Sequence, residues 1–557
     1  MKKNIFIYMT VLALLFSGCT DSFEETNTNP YQISDESLRQ DNNHVGAYFP
    51  TMLGNIFRDQ TQHNLVHDSF VRHLATPTPF VGGVNNTTYY LRWNNYWNST
   101  YGRIFSPSKI VIEIAQEEGN EVFEAWAKFI RLYGAHRLSA WHGPIIYSDY
   151  GSLANSVAYD SEETLYNTWF AELDEIIATF SANSDFSGMK AFDDSYGGDV
   201  SSWMKLANTV RLRLAMRISK VNPTLAKTQG EKAIADPAGL IASAGDDFKI
   251  KLYAGFFPPA RIAHGWGDTR MSATMESVLV GYKDGRISKY FDEATPGKGV
   301  DAADAAGVNE TEAAYFALHP DDKYLGIRNG ATLGAKGDRL NFSNIASDFN
   351  PTTSDGMRRC FMSAETHFLL SEAALRGWTG SGSAQAHYEQ GVKDSFDEWG
   401  AAGAANYLAD NTSTPLDYHD PKADADPDAA GVQDNGGIND FVTRMTATVA
   451  WDEAADNELK LEKIMTQKWI AAYMNSMEIW VDHRRTGYPK LPYNYQNDSN
   501  EDWGIIPADD FLRRMTFVNG ERSNNGDGVA GATTALGGLD EIGTRLWWDT
   551  GGANFPN

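Results

Sequence analysis

Apolar residues recur at every third and fourth position over most of this chain, and most densely between Leu461 and Trp480. Leu461, Met465, Trp469, Tyr473 and Met477 step by four, with Ile464, Ala472 and Trp480 in the adjacent row, which predicts one long buried helix. Beyond Trp480 the chain reads Asp482-His483-Arg484-Arg485 and then Gly487-Tyr488-Pro489, which ends that helix. Two guanidiniums there suit the helix C-terminus and pair with nearby carboxylates. The same periodicity appears at Val45, Phe49, Met52 and Ile56, and again at His63, Val66, Phe70 and Leu74. Ile110 and Ile114, then Val122, Trp126, Phe129, Ile130, Tyr133 and Leu138, predict a helix pair across Gly119-Asn120. Leu165, Trp169, Leu173, Ile176 and Ile177 follow Asp160-Ser161-Glu162-Glu163, a cap with carboxylates in the first turn. Residues 201–219 carry Trp203, Ala207, Val210, Leu214 and Ile218 on one face, and Arg211, Arg213 and Arg217 are expected to pair with carboxylates of neighbouring helices.

Helical periodicity fades between about residues 249 and 350. Residues 401–440 are rich in Ala, Asp, Gly and Asn and read as a long acidic surface loop. An irregular loop is also predicted at 76–86, Thr-Pro-Thr-Pro-Phe-Val-Gly-Gly-Val-Asn-Asn, and behind it come Tyr89, Tyr90, Trp93, Tyr96, Trp97 and Tyr101. Aromatic faces beside a loop suit the flat C–H faces of sugar rings, with asparagines bonding the hydroxyls. Phe80, Tyr89, Tyr90, Trp93, Trp97 and Trp266 are therefore the candidate ligand-binding residues, although the i, i+4 spacing of Trp93 and Trp97 also favours a core pair. Tyr282 and Tyr290, in the same Gly-rich region as His264-Gly265-Trp266-Gly267, form a second candidate patch.

Composition narrows the partners. The formal net charge of -26 argues against nucleic acid and anionic lipid, since both are repelled by such a surface. Lys2, Lys3 and the apolar run Ile5 to Phe16 read as a secretory signal over residues 1–18, too short to span a membrane. Leu15-Phe16-Ser17-Gly18-Cys19 reads as a lipidation site at Cys19, followed by a polar tether to residue 43. Acyl chains there anchor the protein to a membrane without crossing it. The other cysteine, Cys360, beside Phe361 and Met362, is expected as a buried thiol. Motifs for a serine hydrolase, a zinc protease or a nucleotide site are absent from the sequence, so neither catalysis nor a cofactor is expected. His63 and His67 share an i, i+4 spacing but lack further ligands, and a polar helix face is the better account of them than a metal site. The spacings Asp424-Asp426-Asp428 and Asp498-Asn500-Asp502 lack the glycine of a calcium loop.

The run Gln467 to Pro492 resembles the C-terminal motif of the SusD/RagB family of nutrient-binding outer-membrane lipoproteins, within it the starch-binding-associated second SusD-like branch. Ser202 to Ser219, Glu365 to Gly380, His387 to Gly400, Ile505-Ile506-Pro507, Asn519-Gly520-Glu521, Asn524 and Thr544 to Asp549 are similar to the family in the same order. Departures fall at Ser139 to Tyr147 and at Met515-Thr516. The resemblance implies a mainly α fold, a scaffold of tetratricopeptide-like helix pairs overlaid by irregular loops and short strands. The helical parts would cover about 44–240 and 357–481 of a single domain at 44–557, and the loop-rich parts about 249–350, 401–450 and 482–557. It also implies a surface receptor that captures an oligosaccharide and delivers it to a SusC-type TonB-dependent transporter in the outer membrane. A peptide ligand, a surface glycoside hydrolase and a transporter subunit with no ligand of its own are the competing readings.

Overall fold

The computed structural model describes residues 35–57, 62–77, 85–94, 96–251, 262–294, 323–331, 339, 341–347, 357–420 and 437–555. The chain forms two compact units, Met1–Ala47 and Tyr48–Asn557. In the first, helical turns occupy Asp35–Arg39 and Asn43–Gly46, so part of the expected tether is helical. Cys19, Phe80 and the Asp424-Asp426-Asp428 run lie outside the described residues.

The second unit is built mainly of helices. They are α1 (Phe49–Asn55), α2 (Ser106–Glu118), α3 (Glu121–His142), α4 (Glu162–Ala182), α5 (Val200–Arg217), α6 (Pro223–Ala235) and α7 (Ala273–Gly281), then α8 (Ser363–Leu375), α9 (Ala384–Glu398), α10 (Asn457–Ala471), α11 (Ser476–Thr486) and α12 (Gly526–Leu536). Chain neighbours pack in pairs, α2 on α3, α3 on α4, α4 on α5, α5 on α6 and α8 on α9, as tetratricopeptide-like packing requires. Local chemistry sets the ends: Gly119 at φ +68° closes α2, Asn120 caps α3, Ser161 caps α4 through the amide of Thr164, and Asp199 caps α5. Small residues permit close approach. A Cβ at Gly230 of α6 would come 2.1 Å from the ring of Trp378. Two short antiparallel ribbons complete the frame, β1 (Leu74–Ala75) with β3 (Arg270–Met271), and β2 (Phe248–Lys251) with β4 (Met357–Phe361). In β4 the Cys360 thiol is buried and unpaired, and burial pushes it up to about 12.

The predicted long helix 461–480 is two helices. Met474 adopts φ +70° between α10 and α11, while Leu461, Trp469, Tyr473, Met477 and Trp480 remain buried across the break. The side chain of His73 holds the two ends together: Nε2 lies 2.9 Å from the Trp469 carbonyl and Nδ1 2.8 Å from Ser476 Oγ, which is itself 2.6 Å from Asp68 Oδ1. Nε2 must donate to the carbonyl, and the hydroxyl has one hydrogen. Ser476 gives it to Asp68, and burial raises Asp68 to about 6 while it lowers His73 to about 3. His63 and His67 lie in this same buried region rather than on a polar helix face.

Arginines of α3 and α5 meet carboxylates of α8 and α11 inside this unit. Glu478 of α11, 3% exposed, accepts from Arg217 at 2.6 Å and lies 3.8 Å from both Arg213 and Arg137. Arg213 is bidentate on Glu365 at 2.8 and 2.7 Å, and Lys468 joins Glu365 to Asp482. Arg485 is bidentate on Glu372 at 2.6 and 2.7 Å. Arg211 pairs with Asp174 of α4, so all three arginines of α5 find the expected carboxylates. Arg484 does not. It donates to the carbonyls of Trp480, Arg513 and Ala140, with Trp480 3.5 Å and Trp548 4.8 Å from its guanidinium.

These charges fix an expected pH profile. Burial opposes the ionised form of Glu372, but Arg485 and Arg376 outweigh it and hold it at about 2; Glu478 is likewise held low by Arg213 and Arg217 against its burial. Their stabilisation is complete above the unfolded carboxylate value and is lost as pH falls through the folded one. Burial instead raises Glu162 and Glu398 to about 7 and Asp68 to about 6, so their contribution declines as pH rises through those values. Seven histidines, among them His73 and His142 at about 3, are held below their usual value by burial, and the stability they contribute is lost as pH falls below about 6.5. Urea denaturation is therefore expected to show stability rising from acid pH to a maximum at about pH 6.5–7, and Glu162→Gln should steepen that rise. Stability still rising to pH 8 would contradict this. Glu478→Gln removes the carboxylate that Arg217, Arg213 and Arg137 share and should cost about 3–5 kcal/mol in the same assay; a loss below about 1 kcal/mol would remove the network from its structural role.

Candidate functional site

The aromatic segment is shaped by its asparagines. Asn85 Oδ1 accepts from the amide and hydroxyl of Thr87 at 2.9 and 2.7 Å, closing a capping box with Thr88, and Tyr89 follows at φ +67°. Asn86 Oδ1 accepts from the amides of Arg92 and Trp93 at 2.7 and 3.1 Å, while its Nδ2 donates to the Trp93 carbonyl at 2.8 Å. Both side chains are thus buried and spent on backbone groups, so they do not bond ligand hydroxyls as expected from their composition.

The predicted rings separate. Tyr90 is 37% exposed and Trp93 half-buried, with Arg92 over the indole at 5.0 Å. Tyr89 is 2% exposed and its hydroxyl accepts from Arg72 Nη2 at 3.3 Å. Trp97 is also 2% exposed, packed on Tyr101, His142, Tyr159 and Phe517. Tyr89 and Trp97 therefore belong to the core and leave the candidate surface. The helical spacing of Trp93 and Trp97 does not place them on one helix, because the helix there, Tyr96–Thr100, starts after Trp93. Trp266 stands in the turn Ile262–Trp266, and its side chain lies outside the described set.

The second patch is also internal. Tyr282 and Tyr290 are buried, donating to the carbonyls of Ala447 at 2.6 Å and Ile470 at 3.0 Å. The region of faded periodicity around them contains α7, whose apolar residues run on several sides because the helix is buried.

One surface aromatic went unpredicted. Asp498 N donates to the Thr88 carbonyl at 2.7 Å and Asn494 Nδ2 to the Thr87 carbonyl at 2.9 Å, which brings the segment 494–498 alongside the 85–94 loop. Tyr495, 40% exposed, lies between those anchors, with Arg328 5.6 Å from its ring. The sequence Pro492-Tyr-Asn-Tyr-Gln-Asn carries the same mixture of aromatics and amides as the first loop, and that composition was the available signal. Tyr90, Trp93 and Tyr495 are thus the outward rings of two segments held side by side, a chemistry suited to stacking on a neutral ring. Among the described residues no group of three metal-ligating side chains gathers, and no helix is long and apolar enough to cross a membrane.

The profile of the SusD-like family, Susd and RagB outer membrane lipoprotein, matches residues 25–549. A chitin-binding SusD homolog from Flavobacterium johnsoniae is 38% identical, with a TM-score of 0.81, over 92% of this chain and 100% of that one. A SusD homolog from Bacteroides vulgatus is 33% identical, with a TM-score of 0.79, over 93% and 100%. A SusD-like protein from Bacteroides thetaiotaomicron is 30% identical, with a TM-score of 0.75, over 90% and 98%. No curated protein is matched by this chain.

The division between core and surface rings is testable by chemical unfolding. Trp97→Ala should lose about 3–5 kcal/mol of stability, whereas Tyr90→Ala should stay within about 0.5 kcal/mol of the parent. Equal losses would overturn the division.

Proposed function

The chain belongs to the SusD/RagB family of outer-membrane lipoproteins, and we propose that within it this protein is a receptor that captures an oligosaccharide and passes it to a SusC-type TonB-dependent transporter. The observation that carries this reading is the Asn86-clamped loop, which holds Tyr90 and Trp93 at the surface beside Tyr495. A platform ordered before binding loses little entropy on capture. Its chemistry is that of recognition: the work is stacking and a few hydrogen bonds, and no bond is made or broken. The likeness to a chitin-binding homologue supports a glycan as the ligand class.

Cys19, in its lipobox context, supplies the anchor, and display on the outer face of the membrane places the platform where nutrient arrives. Each stacked ring contributes modestly, so a single site is weak and holding the receptor beside its transporter raises the effective ligand concentration. Phe80 and Trp266 complete the proposed aromatic set.

Calorimetry against an oligosaccharide panel that includes chitin fragments tests the reading. Tyr90→Ala with Trp93→Ala should weaken glycan binding by at least about tenfold, because base-like stacking losses of one ring approach 1.4 kcal/mol, and no new reducing ends should appear. Binding unchanged in the double variant would remove the platform; binding to peptides alone would remove the ligand class; glycan cleavage would replace the receptor by a hydrolase. Co-purification of the transporter with the lipidated protein tests delivery.

A further inference from the structure

A pocket of ≈ 210 Å³ lies beside the end of α11, lined by His483, Lys490, Arg444, Arg513, Asp509 and Phe511 among others. Its lining includes none of Tyr90, Trp93 and Tyr495. The pocket and the 85–94 loop are joined through Arg72, which donates to Tyr89 Oη and to the Pro492 carbonyl and lies 5.5 Å from the Phe511 ring.

The charges around this pocket run against those of the chain. Burial, then the guanidiniums of Arg513, Arg72, Arg444 and Arg484, keep His483 neutral. Of these four arginines only Arg513 has carboxylate partners among the described residues, Asp510 at 2.6 Å and Asp549 at 3.5 Å. Arg444 donates to the Leu491 carbonyl at 3.1 Å and lies 4.3 Å from the Tyr493 ring, while Arg72 and Arg484 also use carbonyls, a phenol and ring faces. Lys490 is paired with Glu462 at 2.8 Å, and Asp509 is the one opposing carboxylate of the lining outside an ion pair among the described residues. In a chain of net charge -26, Arg444 is thus the lining guanidinium left without a carboxylate among the described residues.

The second observation is His483 itself. It is 5% exposed, its ring edge rests on Phe511 at 4.6 Å, and no hydrogen bond reaches either ring nitrogen among the described residues. A neutral imidazole on a cavity wall offers one N–H donor and one acceptor to whatever fills the cavity.

We propose that this pocket binds a single acidic sugar unit, a uronic acid ring, with its carboxylate on Arg444 and the His483 N–H. The volume is below the roughly 300–1,000 Å³ of a drug-sized site and suits one ring. Asp509 is placed to accept from ring hydroxyls, a contact that a bare anion would lack. A peptide would bring a carboxylate too; binding by strand addition would need a free strand edge, and neither β-ribbon lines the pocket. The proposal rests on the receptor reading only in taking the ligand to be a sugar.

Calorimetry on the full chain with glucuronate, galacturonate, glucose and alanyl-alanine tests it. A uronate should bind at least about tenfold more tightly than glucose, weaken as salt is raised, and lose about tenfold in Arg444→Ala, the loss of one charge-assisted contact. Arg444 is exposed, so its replacement leaves the fold in place. Leu153→Ser, at a fully exposed position outside both sites, should leave uronate binding unchanged. Equal binding of glucose and uronate, indifference to Arg444→Ala, or a dipeptide binding more tightly than either uronate would overturn the assignment. Uronate binding that persists where no neutral oligosaccharide binds would support this pocket while removing the aromatic platform.

Discussion

Glu478 sits where Arg217, Arg213 and Arg137 converge, away from water, and the rest of the scaffold depends on that meeting. Ions buried this deeply are tolerated only when each finds its partner, because the cost of stripping their water is several kcal/mol per ion. The network through Glu365, Lys468, Asp482, Arg485 and Glu372 therefore ties α3, α5, α8, α10 and α11 to one relative arrangement. A sliding of any helix by one turn would leave charges unmatched. Apolar packing alone would be more permissive of such shifts.

The same economy shapes the surface. Asn85 and Asn86 are consumed in holding a loop that has little regular structure of its own, and the rings left outward are those the backbone does not need. Rigid aromatic display follows from amides turned inward. Arginine, by contrast, is used in two ways within a short stretch of α11: Arg485 closes on carboxylates, while Arg484 is satisfied by carbonyls and indole faces. The second mode leaves its charge unneutralised, and it recurs at Arg72 and Arg444 around the acidic-sugar pocket.

Much of the scaffold was legible because helix periodicity and caps are local. Ser161, Asn120 and Asp199 begin their helices as their residue types require, and the arginines of α5 could be expected to seek carboxylates in so acidic a chain. The break at Met474 was not legible, since the step-by-four pattern continues through it and the groups that hold it, His73 and Asp68, lie about four hundred residues away. Periodicity also failed at α7, where burial on several sides erases the amphipathic signal.

Within the site, residue type singled out aromatic rings but could not sort them. Tyr89 and Tyr90 are adjacent and chemically identical, yet one is sealed beneath Arg72 and the other faces solvent, because Tyr89 takes the left-handed turn that ends the Asn85 cap. By itself the sequence determined the helical class, the family motif, the acidic surface and the stock of rings, all of which are local or compositional properties. Only the tertiary structure decided which rings remain exposed, where the buried charges meet, and that Tyr495 joins the loop. Those outcomes turn on contacts between residues distant along the chain, which no local pattern encodes.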